Sequence, residues 1–195
     1  MAMQVELEEP RERILSAAYR LFMQRGIRDV GVNELIREAG IAKATFYYHF
    51  QSKDDLVLAF LARREEVFTD GYLVAESTRR GNTPEERLLA IFDVLDEWFH
   101  RPDYESCSYI KILFELGYSH PLGRASAGYL AKMRVGVQTL AGEAGLTDPE
   151  GFAHAWVLLM KGAIVAAAES DPHAAQRAMP LARWLIDQHQ LAVRV

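Results

Sequence analysis

The sequence predicts an all-α protein of about nine helices, with a small N-terminal head and a larger helical body. Three observations carry that reading. Apolar residues recur at three- and four-residue spacing in every long segment, while Val, Ile and Thr never alternate with polar residues for long enough to form a sheet. Helix-start punctuation precedes several of these segments, as at Pro10, Thr83-Pro84-Glu85-Glu86 and Thr147-Asp148-Pro149. Half of the 195 residues are hydrophobic and a quarter are charged, which suits one sizeable core or a head on a body. The division expected is a head over residues 1–52 and a body over residues 53–195.

The first helix is expected from Pro10 to about Arg25, with Ile14, Leu15, Ala18, Leu21 and Phe22 on one face and Gly26 at its C-terminal cap. Two short helical pieces follow, Val32–Ala39 and Lys43–Phe50, separated by Gly40. Ser52 can cap the next helix, with Asp55 three residues on, and that helix continues to about Thr78, a length of roughly 40 Å. The capping-box pattern at Thr83–Glu86 starts a helix striped by Leu88, Ile91, Phe92, Leu95, Trp98 and Phe99, which Pro102 stops. The segment from Ser106 to Leu116 is apolar on most sides and reads as a central helix. Helices then follow over Leu122–Ala141, from Pro149 to before Pro172, and on to about Ala192, with Pro180 expected to kink the last one or delay its start.

The charge is uneven. The formal net charge is -5, yet residues 10–53 carry +4, against -3 for residues 1–9 and -6 for residues 54–195. A basic head on an acidic body suits a protein whose head alone meets a polyanion. Within that head "VNELIREAGIAKATFYYHF" has the spacing of a helix-turn-helix at about residues 32–50. Val32, Leu35, Ile36 and Ala39 form an apolar face, Gly40 supplies a turn tolerant of positive φ, and Ile41 plugs the core. Phe46 and Phe50, four apart, can both face the first helix, which leaves Lys43, Ala44, Tyr47 and Tyr48 to point elsewhere. A two-turn helix with small residues at its start can enter a major groove, and phenol, imidazole and ammonium groups from Tyr47, Tyr48, His49 and Lys53 can donate to phosphate oxygens. The competing reading keeps both tyrosines as core aromatics with hydroxyls at the surface.

The run "ILSAAYRLFMQRGIRDVGVNELIREAGIAKATFYYHFQSKDDL" resembles the DNA-binding head of the tetracycline-repressor (TetR) family of bacterial transcription regulators. The resemblance rests on I-L-x-A-A-x-x-L-F-x-x-x-G, V-x-x-L, A-G-I, T-F-Y-Y-H-F and S-K-x-x-L, and covers about a quarter of the chain. It implies an all-helical homodimer that binds a palindromic double-stranded DNA operator, represses, and is released by a small-molecule effector. It places Lys43, Thr45, Tyr47, Tyr48, His49 and Lys53 on DNA-contacting positions, and makes residues 53–195 a ligand-binding and dimerisation domain. The chain departs from the family pattern at Gly31, where a capping Thr or Ser is usual, at Ala42 and Ala44, where Ser and Gly are common, and at Ile36, often alanine.

In the body, the small residues Gly162, Ala163, Ala166 and Ala167 and the stripe Leu181, Trp184, Leu185, Gln188 and Leu191 suit two helices of a homodimer interface, with packing inside one chain as the alternative. Candidate ligand-lining residues are Phe92, Tyr109, Phe114, Met133, Trp156 and Met160, together with Trp98 and Tyr118. Cys107 is the sole cysteine, which excludes an intrachain disulfide and leaves a small buried hydrophobe or a redox sensor. The histidines at 100, 120, 154, 173 and 189 show no metal-ligand pairing, and no cofactor is expected. No nucleophile–base pair, paired carboxylates or Gly-rich phosphate loop stands at a spacing that would indicate an enzyme. The N-terminus does not read as a signal peptide, and the apolar run Trp156–Ala168, interrupted by Lys161, is too short to span a bilayer, so a cytoplasmic protein without membrane contact is expected. A helical adaptor or small-molecule-binding protein without DNA binding is the alternative.

Overall fold

The structure, a computed structural model, describes the backbone of residues 9–191 and the side chains through Gln190. The expectations for residues 1–8 and for the Leu191 side chain lie outside the described residues. The chain divides into two compact units. One takes in the N-terminal part to Arg64 together with Ser108–Ser126, and the other takes in Glu65–Cys107 and the chain from Ala127. This differs from the expected boundary after residue 52 because the helix that follows turns its apolar face back onto the head, and because a segment much later in the chain joins it.

The first unit is built on α1 (Pro10–Arg25), α2 (Val32–Ala39), α3 (Lys43–His49) and α4 (Lys53–Arg64). Ile14, Leu15, Ala18 and Phe22 from α1 meet Leu35 and Ala39 from α2, Phe46 from α3, and Leu56, Val57, Phe60 and Leu61 from α4 in a buried core. Phe22 and Phe60 meet edge to face, 5.8 Å between ring centroids. Gly40 ends α2 in the left-handed conformation at φ 62°, and the Ile41 N–H then reaches back to the Ile36 carbonyl at 3.2 Å. Ser52 caps α4 by accepting from the Asp55 N–H at 3.0 Å, while the Asp55 carboxylate accepts from the Gln51 N–H at 3.1 Å.

Helix α7 (Ser108–Leu116) belongs to this unit and corrects the expectation of a central helix: only Ser108, Tyr109 and Ile112 are buried, and Phe114 is 81% exposed. One face of α7 meets polar backbone rather than apolar core. Lys111 donates to the Met23 carbonyl at 2.8 Å, and the Glu115 carboxylate accepts from the backbone N–H groups of Ile27 at 2.9 Å and Arg28 at 2.6 Å.

The second unit opens with a π-helical stretch, Glu65–Val74, that continues from α4 and passes into α5 (Ala75–Arg80). The expected long helix therefore forms, but it changes register partway. Next comes α6 (Pro84–Phe99), started by a complete capping box between Thr83 and Glu86, worth about 1 kcal/mol. Arg80 fastens α5 to α6 through both oxygens of Glu97 at 2.8 and 2.7 Å. The greater part of α8 (Pro121–Glu143), with α9 (Pro149–Ala168) and α10 (Ala174–Leu191), completes the unit. Asp148 caps α9 by accepting from the Gly151 N–H at 3.0 Å, and Pro180 stands inside α10. The core joins Leu88, Phe92 and Leu95 of α6 to Phe152, Trp156 and Met160 of α9 and to Ala182 and Ile186 of α10. Among the described residues α9 is long and apolar enough to cross a membrane by length and composition, but its inward face, Phe152, Trp156, Met160 and Ile164, is packed in this core.

Candidate nucleic-acid interface and ligand cavity

Helix α3 is only seven residues long, and no side chain caps it at Ala42. Such a helix depends on its packing for stability. Phe46 and Phe50, both buried, anchor it, and their rings lie 6.1 Å apart. That anchoring turns the other residues outward. Tyr47 is 47% and Tyr48 84% exposed, and no hydrogen bond to either hydroxyl is found among the described residues. Lys43 and Ala44 are exposed at the N-terminal end, and Thr45 and His49 are half-buried. The aromatic row thus divides between two phenylalanines that hold the helix and two phenols free to meet a partner.

The basic residues of the head divide in the same way. Arg13 reaches the Gly40 carbonyl in the turn at 2.7 Å, Arg20 pairs with Glu38 at 3.0 Å, and Arg25 pairs with Glu34 at 2.5 Å. These three ties hold α2 and the turn against α1. Arg11 and Arg37 lie at 3.7 and 3.8 Å from Glu12 and Glu34. Among the described residues, the side chains of Lys43 and Arg28 have no intramolecular partner.

Lys53 also has a structural role. Its ammonium donates to the carbonyl oxygens of Ile27 at 2.8 Å and Val30 at 3.1 Å. The expectation of a lysine free for phosphate is corrected to this extent: two of its three donors close the loop between α1 and α2. Glu115 grips the same loop through its N–H groups. That residue was missed at the level of sequence, because an acid four residues after a lysine on a short helix reads as a solvent-exposed pair.

A cavity of about 400 Å³ lies in the second unit. Its walls come from the π-helical stretch and α5 on one side and from α8 on the other, with Ile91 and Met160 between. Met133 and Met160 line it as expected. The other candidates do not. Phe92 and Trp156 meet edge to face inside the core, 5.3 Å between ring centroids, Tyr109 is buried in the first unit, and Phe114 is exposed. Spacing on a helix selects apolar residues but does not tell a core position from a cavity wall. Thr69, Leu73 and Ser77, which do line it, carry no sequence signal beyond helical spacing.

On α9 and α10 an apolar outer face remains in the single chain. Leu158, Gly162 and Val165 are exposed along α9, and Leu181 and Trp184 are 56% and 58% exposed on α10. Ala163 is corrected as an interface candidate: it is buried in the chain's own core, while Ala166 and Leu185 are half-buried. Cys107 is buried, and the described residues contain no group of three or more His, Cys, Asp or Glu that could hold a metal ion.

A short recognition-type helix, pinned from behind and presenting phenols and a lysine, defines a helix-turn-helix protein. A family model for bacterial regulatory proteins of the tetR family matches residues 14–60. A solved structure of a TetR-type transcriptional regulator from Streptomyces avermitilis is 30% identical, covers 94% of this chain and 99% of that one, and superposes with a TM-score of 0.81. A TetR-family regulator from Streptomyces coelicolor, 24% identical over 92% of this chain and 95% of that one, shares the fold at a TM-score of 0.84. The chain belongs to the TetR family of bacterial regulatory proteins. Among curated proteins it is 32% identical over 111 residues to the HTH-type transcriptional activator FasR of Mycolicibacterium smegmatis, covering 57% of this chain and 48% of that protein. It is 27% identical over 109 residues to the HTH-type transcriptional repressor NemR of Escherichia coli, covering 55% of this chain and 54% of that protein. The chain thus spans about half the length of each.

Proposed function

We propose that this protein is a sequence-specific DNA-binding transcriptional regulator, a homodimer that leaves a palindromic operator when a small molecule binds its body. The observation that carries the reading is the pair of exposed phenols, Tyr47 and Tyr48, beside Lys43 on a helix whose opposite side is buried. The N-terminal residues Ala44 and Thr45 face base edges, while Lys43, Tyr47, Tyr48 and His49 meet phosphates, and Lys53 serves them by holding the Ile27–Val30 loop. The protein performs no catalysis in this reading and works in the cytoplasm. Repression is favoured over activation only by the family's usual habit, since FasR and NemR bear opposite labels.

The exposed apolar face of α9 and α10 supports a two-fold symmetric dimer through Leu158, Val165, Leu181 and Trp184, which sets the recognition helices about 34–36 Å apart, one DNA turn. The continuous helical run from Lys53 to Arg80 supports the coupling. It carries at one end the lysine that closes the Ile27–Val30 loop, and at the other the cavity wall. A coupling of about 1–3 kcal/mol changes operator affinity some 5- to 150-fold. Selection of bound sequences from random duplexes tests the reading. Enrichment of a palindrome with half-sites one turn apart is the expected result; recovery of unselected sequence at low salt would refute it.

A further inference from the structure

The cavity of the second unit separates its chemistry by depth. Leu73, Val137 and Met160 are buried, as are two hydroxyl residues, Thr69 and Ser77. The ionisable lining groups are shallower: Asp70 and Lys132 are exposed and Glu65 is half-buried, so the deep part holds no charge. The Ser77 hydroxyl is satisfied by donation to the Val74 carbonyl at 3.0 Å. Thr69 is 4% exposed, and its Oγ1 has no hydrogen-bond partner among the described residues. A buried hydroxyl in that condition is unfavourable unless something else meets it.

The π-helical register brings Thr69 to this place. The lining pairs are Thr69 and Asp70, Leu73 and Val74, Ser77 and Thr78, each pair four residues after the last. In an α-helix of about 3.6 residues per turn, positions four apart advance by about 40° at each step, so the row would turn away from the cavity. The wider π turn drifts the other way, so the π stretch followed by the α-helical α5 averages near four residues per turn and keeps the three pairs on one side. Gly71 is compatible with that turn, whereas a Cβ there would stand 2.7 Å from the Glu66 carbonyl oxygen.

We infer that the effector is an uncharged, mainly apolar molecule carrying one hydrogen-bonding oxygen, a phenol, alcohol or ketone, and that Thr69 is the residue that recognises this oxygen. The inference rests on the effector reading of the cavity. A threonine hydroxyl can accept from a phenol or donate to a ketone, so it selects for an oxygen without requiring a charge. An ionised group at that depth would lack a counter-charge.

The test uses the full chain and three probes, 4-hydroxybiphenyl, biphenyl and biphenyl-4-carboxylate, with affinities measured by calorimetry in the absence of DNA. In wild type both neutral probes bind and the carboxylate binds more weakly. Thr69→Val removes the oxygen and keeps the shape. It weakens 4-hydroxybiphenyl about 2- to 10-fold relative to biphenyl, and Thr69→Ser restores the difference. Retained biphenyl binding shows that the Val variant is folded. The inference is overturned if neither neutral probe binds, if the carboxylate binds tightest, or if the ratio between the neutral probes is the same in wild type and Thr69→Val. Operator release is a separate readout. Should the phenol bind as expected and leave operator affinity unchanged, the effector role fails while the chemistry of the cavity stands.

Discussion

The Lys53 ammonium lies 2.8 Å from the carbonyl oxygen of Ile27, joining the start of α4 to the loop after α1 across 26 residues of sequence. With Glu115 on the N–H groups of the same loop, it fixes the approach to α2. Lys53→Met is therefore expected to lower the melting temperature of the head and to weaken operator binding without changing its salt dependence. Lys43→Ala should do the reverse, leaving stability unchanged and reducing the slope of log affinity against log salt by about 1. Titrations at several salt concentrations separate the two. A slope reduced by Lys53→Met would mean that the lysine moves to phosphate in the complex.

The two kinds of aromatic in α3 should fail differently. Phe46 is fully buried, so Phe46→Ala is expected to destabilise the head by about 3–5 kcal/mol, seen in urea denaturation. Tyr48→Phe leaves the fold intact and removes one donor to phosphate, worth about 1–2 kcal/mol of binding, uniformly across duplex sequences. Equal affinity of Tyr48→Phe and wild type for every duplex would remove this residue from the interface.

Trp184 and Leu181 stand exposed on α10, and Leu158 and Val165 on α9, which packs against it. Placing a charge in a symmetric apolar interface puts two like charges together without counter-ions. Trp184→Glu is expected to give a monomer in analytical ultracentrifugation, and to bind operator far more weakly because one half-site is lost. A dimer unaffected by both Trp184→Glu and Leu181→Glu would place the interface elsewhere.

Arg80 hydrogen-bonds both oxygens of Glu97 and holds that carboxyl below the ordinary glutamate range. A folded-state value lower than the unfolded one stabilises the protein at pH above the unfolded value, roughly 4.3, and that contribution is lost as pH falls through the folded value. The melting-temperature gap between wild type and Arg80→Gln should stay constant from neutral pH to about 5 and narrow below roughly 4.3. The gap should be small throughout, since Glu97 is largely exposed.

Local patterning already determined the helical class, the helix caps, the helix-turn-helix and the division of α3 between anchors and outward groups. Each depends on neighbours within about five residues, and periodicity records such neighbours directly. Tertiary structure decided what depends on distant partners. Lys53 and Glu115 close one loop from 26 and 88 residues away, and no spacing rule joins them to it. Whether Thr69 faces a cavity turned on a change from α to π register, which moves side chains by a fraction of a turn without altering the pattern of apolar residues. Ala163 went to the core and Leu158 to the surface for a related reason: a helix that is apolar nearly all round does not say which side its neighbours will take.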